Sequence, residues 1–153
     1  MTGIILPECP FGRDIIDRYI PHRDPMTFLT RVKTINFDEI SAEAELDPNA
    51  EHFKGHFPGR PIMPGVLMVE TAAQAGALLV AAARGLPEDK FLAFTAIDNV
   101  KIRKPAFPAD CLTVDVSIEK ARGVIYKFDG RISRDTEIVM TLNFTAALMD
   151  FPD

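Results

Sequence analysis

At 153 residues, with 47% hydrophobic and 25% charged side chains, the chain has the size and composition of one globular domain with a substantial core. A formal charge of −5 and a pI of about 5.2 exclude a global basic field for nucleic acid or an anionic membrane, so an acidic partner would need a local basic patch. Cys9 and Cys111, the only cysteines, are too far apart in sequence for a small disulfide or zinc framework, and two reduced thiols in a cytoplasmic protein are expected.

The N-terminal "MTGIILPECPFGRD" has no basic n-region, and its apolar run from Ile4 to Leu6 is too short for a signal-peptide core, so no secretory leader is expected. Residues 12–20 place Ile15, Ile16, Tyr19 and Ile20 at helical spacing, and Pro21 ends that helix. A β-rich run from Met26 to Asp38 leads into "ISAEAEL", which alternates Ile40, Ala42, Ala44 and Leu46 against polar residues; a hairpin turning near Asp38 and Glu39 fits. Residues 47–64 read as a long Pro/Gly-rich loop with poor helical character, and loops of that length usually serve a site.

From about Gly65 to Arg84 a helix is expected, with Gly85 able to take the left-handed cap conformation. It is apolar nearly all round and must be wrapped by other structure. Glu70, Thr71 and Gln74 interrupt the apolar run, so a buried core helix, not a membrane insertion, is expected. Strands follow at about 91–104, 112–119, 123–133 and 138–149, with "KARG" and "SRDTE" as antiparallel turns. The order β-β-α-β-β-β-β predicts one α+β domain spanning 1–153, a curved antiparallel sheet around a central helix. Its open edges would be hidden by pairing across a two-fold axis.

The candidate chemistry gathers in "GHFPGRPIMPGVLMVETAAQ", residues 55–74. Pro58, Pro61 and Pro64 stiffen the backbone around His56, while Gly59 and Gly65 permit turns or close approaches. Gly65 opens the helix, where free N–H groups favour an oxygen gaining negative charge. Glu70, alone on an apolar helix, must be paired, or protonated with a raised pKa, or both in turn; a simple hydrogen bond to Gln74 one turn on is the plain alternative. His52 and His56 are four apart, but the segment suits a helix poorly and no metal site is expected. His22, after Pro21, reads as a hydrogen-bonded structural histidine.

"PHR" at 21–23, the 55–74 motif and "AIDNVKIRKPAFPAD" at 96–110 resemble, in order, the 3-hydroxyacyl-acyl-carrier-protein dehydratases of type II fatty-acid synthesis, the FabZ branch. The resemblance implies a hotdog fold and a homodimer joined edge to edge, usually three dimers in a hexamer, with His56 of one subunit working beside Glu70 of the other. It implies His56 as base for the C2 proton, Glu70 to position or protonate the 3-hydroxyl, and the Gly65 N–H facing the thioester carbonyl, with no cofactor. Phe57, Pro64, Gln74, Ala93 and Phe94 are the positions it assigns to the acyl tunnel. The acidic acyl carrier protein is the implied partner, with Arg60, Lys101, Arg103 and Lys104 as its basic rim. An aspartate occupies the acid position in the isomerising branch, so Glu70 points to dehydration alone.

Ala93 stands where the family commonly has an aromatic gate, which implies a wider tunnel and longer or specialised acyl chains unless another side chain fills the gap. Thr30 and "PAD" at 108–110 depart in loops. Other functions on such a fold are a thioesterase or CoA hydratase, or a non-catalytic carrier-binding homologue. The intact pair of His56 and Glu70 argues against the last.

Overall fold

The computed structural model describes residues 3–153. Its seven strands are β1 (Phe11–Gly12), β2 (Arg31–Ile35), β3 (Glu39–Glu45), β4 (Lys90–Ile102), β5 (Cys111–Arg122), β6 (Ile125–Arg134) and β7 (Glu137–Asp150). They form one antiparallel sheet in the order β1-β2-β3-β5-β6-β7-β4. Three helices accompany it: α1 (Arg13–Tyr19), α2 (Glu51–Gly55) and α3 (Gly65–Val80). The sheet curls around α3, which packs on five strands, β3 to β7, in the hotdog arrangement.

Strand alternation explains the wrap. Val114 and Val116 on β5, Phe128 and Ile132 on β6, and Leu142 and Phe144 on β7 point inward and are at most 2% exposed. The facing helix residues are small where the sheet is bulky. Gly76 lies over the stacked rings of Phe128 and Phe144, whose centroids are 4.6 Å apart, and a Cβ there would stand 3.0 Å from Phe144 Cζ. Taken on to Gly85 the helix is long and apolar enough to cross a membrane, but 72% of its apolar window is buried here, as in a core helix.

Past Val80 the helix widens into a π turn, Ala81–Gly85, and Gly85 closes it at φ +74°. Arg84 in that turn donates to Phe37 O (2.6 Å) and Asp38 Oδ1 (3.1 Å), fastening it to the β2–β3 hairpin. Strand β4 is the long edge. Among the described residues it pairs only with β7, and from Phe94 onward it is exposed, with Ile97, Val100 and Ile102 on an open rim.

Three sequence expectations need correction. The segment 47–64 is not all loop, because Glu51–Gly55 forms α2, seated by the buried Phe53. The extended run from Met26 becomes ladder only at Arg31: the Phe28 N–H and the Met26 carbonyl bond instead to the Gln74 amide of α3. The short strand β1, pairing Phe11 with Val32, lies in a stretch expected to be helix and approach to it.

Candidate active site

Residues 56–62 form a closed loop. Phe57 and Arg60 exchange backbone hydrogen bonds (3.1 and 2.8 Å), Ile62 N–H donates to His56 O (2.8 Å), and Gly59 supplies the left-handed φ of +72° that the turn needs. The same loop orients the imidazole. His56 Nδ1 lies 2.9 Å from Ile62 O, and a carbonyl only accepts, so Nδ1 carries the hydrogen and Nε2 of the neutral ring keeps its lone pair. Phe57 stacks on the ring at 4.0 Å and is half exposed. Rigid and half-buried, His56 presents a proton acceptor.

Pro64 caps α3, and its fixed φ delivers the chain to Gly65. A side chain at Gly65 would run into Ile102 Cδ1 of β4, so glycine lets the edge strand and the helix start meet closely. Five residues on, Glu70 is only partly buried and faces His22, whose Nε2 is 3.2 Å from Glu70 Oε1. Gln74 Nε2 donates to the same oxygen at 3.1 Å. Burial pushes the Glu70 carboxyl up, but the hydrogen bonds from His22 and Gln74 and the charge interaction with His22 outweigh it and hold the group below its usual range.

Glu70 and His22 border a cavity of about 40 Å³ walled by Leu92 and Phe94 of β4 and by Phe128 and Phe144. Of the expected tunnel residues, Phe94 is on this wall. Gln74 is not: it is fully buried, its carbonyl accepting from Phe28 N–H (3.0 Å) and its amide donating to Met26 O (2.6 Å) and Glu70. Ala93 is also off the wall, because alternation along β4 turns Leu92 and Phe94 toward α3 and Ala93 away, so its small side chain does not widen this cavity. Leu92, Ala77 and Phe128 were not anticipated; only the inward phase of the strands and helix could have indicated them.

His56 does not border that cavity, and within one chain Glu70 pairs with His22 instead. The plain alternative, a Glu70–Gln74 hydrogen bond, is present alongside that pairing. His52 lies on α2 with its ring 4.3 Å from Phe53, and burial, then the neighbouring His56, hold it below the ordinary histidine range; it is a packing ring. The group of potential metal ligands among the described residues is elsewhere, at Glu43, Glu45 and Cys111 on the sheet surface. Lys101, Arg103, Lys104 and Arg60 are exposed, and among the described residues none of the four forms an ion pair.

A family model described as "FabA-like domain" matches residues 20–143. A 3-hydroxyacyl-[acyl-carrier-protein] dehydratase FabZ of Rhizorhabdus wittichii is 41% identical over 135 residues, covering 87% of this chain and 86% of the relative. One from Jannaschia sp. is 39% identical over 143 residues, covering 91% and 88%. Among solved structures, the dehydratase heterocomplex ApeI:P of Xenorhabdus doucetiae superposes with a TM-score of 0.76 at 16% identity, over 88% of this chain and 91% of that one. A hypothetical thioesterase with coenzyme A from Streptococcus pneumoniae does so at 0.62 and 13%, over 80% and 87%. At such identities the structures speak for the fold alone; with the sequence relatives and the family match, the chain belongs to the FabZ family of 3-hydroxyacyl-[acyl-carrier-protein] dehydratases and is a hydro-lyase of fatty-acid biosynthesis.

Proposed function

We propose that the protein dehydrates (3R)-3-hydroxyacyl-ACP to trans-2-enoyl-ACP at a site shared between two subunits, His56 of one acting with Glu70 of the other. The observation that carries this reading is the orientation of His56, with Nδ1 bonded to Ile62 O and Nε2 left to accept a proton. That nitrogen takes the C2 proton, and the electron pair left behind moves toward the thioester, whose oxygen is met by the Gly65 N–H at the start of α3. The C3–O bond breaks, Glu70 gives its proton to the departing hydroxyl, and water leaves. His56 then loses its proton to solvent, and Glu70 is left ionised, as it began, to take up a proton again when the next substrate binds.

Glu70 starts ionised near neutral pH, because His22 and Gln74 hold its carboxyl down. A substrate that displaces water from around it adds desolvation, which pushes the group up and lets it carry the proton it delivers.

Two physical arguments support a shared site. The cavity beside Glu70, about 40 Å³, is far below the roughly 300–1,000 Å³ of ordinary ligand pockets, so one chain does not enclose an acyl group there. Strand β4 leaves a long apolar edge without a neighbour, which a second copy paired along it would cover. Three such dimers in a hexamer extend the same reading, in a cytoplasmic setting where the acidic carrier protein docks on Arg60, Lys101, Arg103 and Lys104 near the start of α3.

The test follows water loss from a 3-hydroxyacyl carrier-protein thioester by the absorbance of the conjugated product. His56→Ala is expected to lose turnover by at least about 100-fold. Robust turnover by that variant removes His56 as the base.

A further inference from the structure

Among the described residues the His22 side chain has a single polar attachment. Its Nδ1 is buried without a partner, and its Nε2 lies 3.2 Å from Glu70 Oε1. A histidine serving only the local fold would tie itself to backbone near Pro21; this one reaches across to α3 and borders the cavity. Gln74 Nε2 meets the same oxygen at 3.1 Å, and Gln74 is itself locked by Phe28 N–H and Met26 O. Both donors on Oε1 are thus anchored in the segment between α1 and β2. Glu70 Oε2 takes no hydrogen bond among the described residues.

We propose that His22 is a positioning residue for the dehydration: its Nε2–H, with the Gln74 amide, holds Glu70 Oε1 and turns Oε2 toward the 3-hydroxyl of the substrate. The inference rests on the reading of Glu70 as the acid. Two donors on one oxygen fix the carboxyl plane as well as its position, which a single donor leaves free to rotate. The "PHR" segment therefore belongs to the Glu70 half of the site.

Three variants of the full-length protein test it, assayed on a 3-hydroxyacyl carrier-protein substrate. His22→Gln keeps an amide nitrogen at the reach of Nε2. His22→Asn is equally polar but places its nitrogen near Nδ1, short of Glu70. Glu70→Gln reports on the underlying reading. The expected result is a fall in kcat of roughly 10- to 100-fold for His22→Asn with KM within about twofold, and recovery of most of it in His22→Gln. Wild-type kcat in His22→Asn, with Glu70→Gln inactive, overturns the inference and leaves Glu70 as the acid. Equal losses in the Asn and Gln variants also overturn it, since the donor would then be irrelevant. Full turnover by Glu70→Gln removes the acid reading and the inference with it.

Discussion

Gly76→Ala probes the contact between the central helix and the aromatic floor of the cavity. In an ordinary helix the change is stabilising by about 1 kcal/mol, because alanine loses less backbone entropy on folding. Here the new methyl would lie 3.0 and 3.1 Å from Phe144 and 3.2 Å from Phe128. Both rings are buried, at 1% and 0% exposed, and stacked on each other at 4.6 Å, so neither can swing away into solvent. Relief means moving a ring or the helix by a few tenths of an ångström, an overpacking that typically costs about 1–3 kcal/mol. Set against the helix gain, a net loss of about 1 kcal/mol is expected, or about 2–4 °C in Tm for a chain of this size. Thermal unfolding followed by circular dichroism, at equal protomer concentration, reads it directly. A higher Tm in the variant would show that the aromatic pair has slack and refute the packing argument. Because both rings wall the cavity, the ratio of turnover on long to short acyl chains is expected to change with the same substitution.

Ala109 holds φ +69°, a conformation costing an L-residue about 1–2 kcal/mol, so Ala109→Gly is expected to stabilise by about 0.5 kcal/mol after the entropy glycine gives up; a fall in denaturant midpoint at unchanged m would contradict this. The Glu70 carboxyl is held below its usual range in the folded protein, so its ionised form contributes stability that is present above the unfolded value near 4.3 and lost as pH falls through the lower folded value. The stability gap between wild type and Glu70→Gln is therefore expected to shrink on acidification from pH 6 to pH 3, and a constant or widening gap in urea titrations would refute the assignment. Reversing Lys101 and Arg103 to glutamate is expected to raise KM for carrier-protein substrates roughly tenfold, about 1.4 kcal/mol, and to leave short thioesters lacking the carrier unaffected. An equal effect on both substrates, or none that salt modulates, removes the basic rim from carrier docking.

What could be read in the sequence is what is encoded locally. The 56–62 loop is set by prolines, by Gly59 at positive φ and by hydrogen bonds spanning only six residues, so its rigidity shows in one dimension. The alternation of β3, β5 and β7 and the all-round apolar character of α3 carry the wrapped sheet in the same way. The Glu70 half is different. Gln74 bonds Phe28 and Met26 at separations of 46 and 48 residues, and His22 meets Glu70 across the same gap; no periodicity marks such contacts. These bonds commit the Gln74 amide to backbone, which its place on an apolar helix does not reveal. Which of residues 92, 93 and 94 faces the helix is likewise decided by the phase of β4, fixed by its pairing with β7.

The two halves of the site consequently answer to different parts of the chain. His56, the proposed base, is oriented within its own loop, so its geometry survives changes elsewhere in the fold as long as residues 56–62 close. Glu70, the proposed acid, is held by His22 and by Gln74, which is itself tied to Met26, so its geometry depends on the N-terminal segment docking on α3. Substitutions that loosen α1 and its C-terminal cap, where Ile16 and Ile20 are buried at 0% and 2% exposure, should act on Glu70 before they act on His56. In a dimer with shared sites, such a lesion in one subunit disables the acid it lends and spares the base it keeps. Mixed dimers of a loosened-α1 chain and a His56→Ala chain would then retain at most one working site, the one joining the wild-type loop of the first to the intact Glu70 of the second.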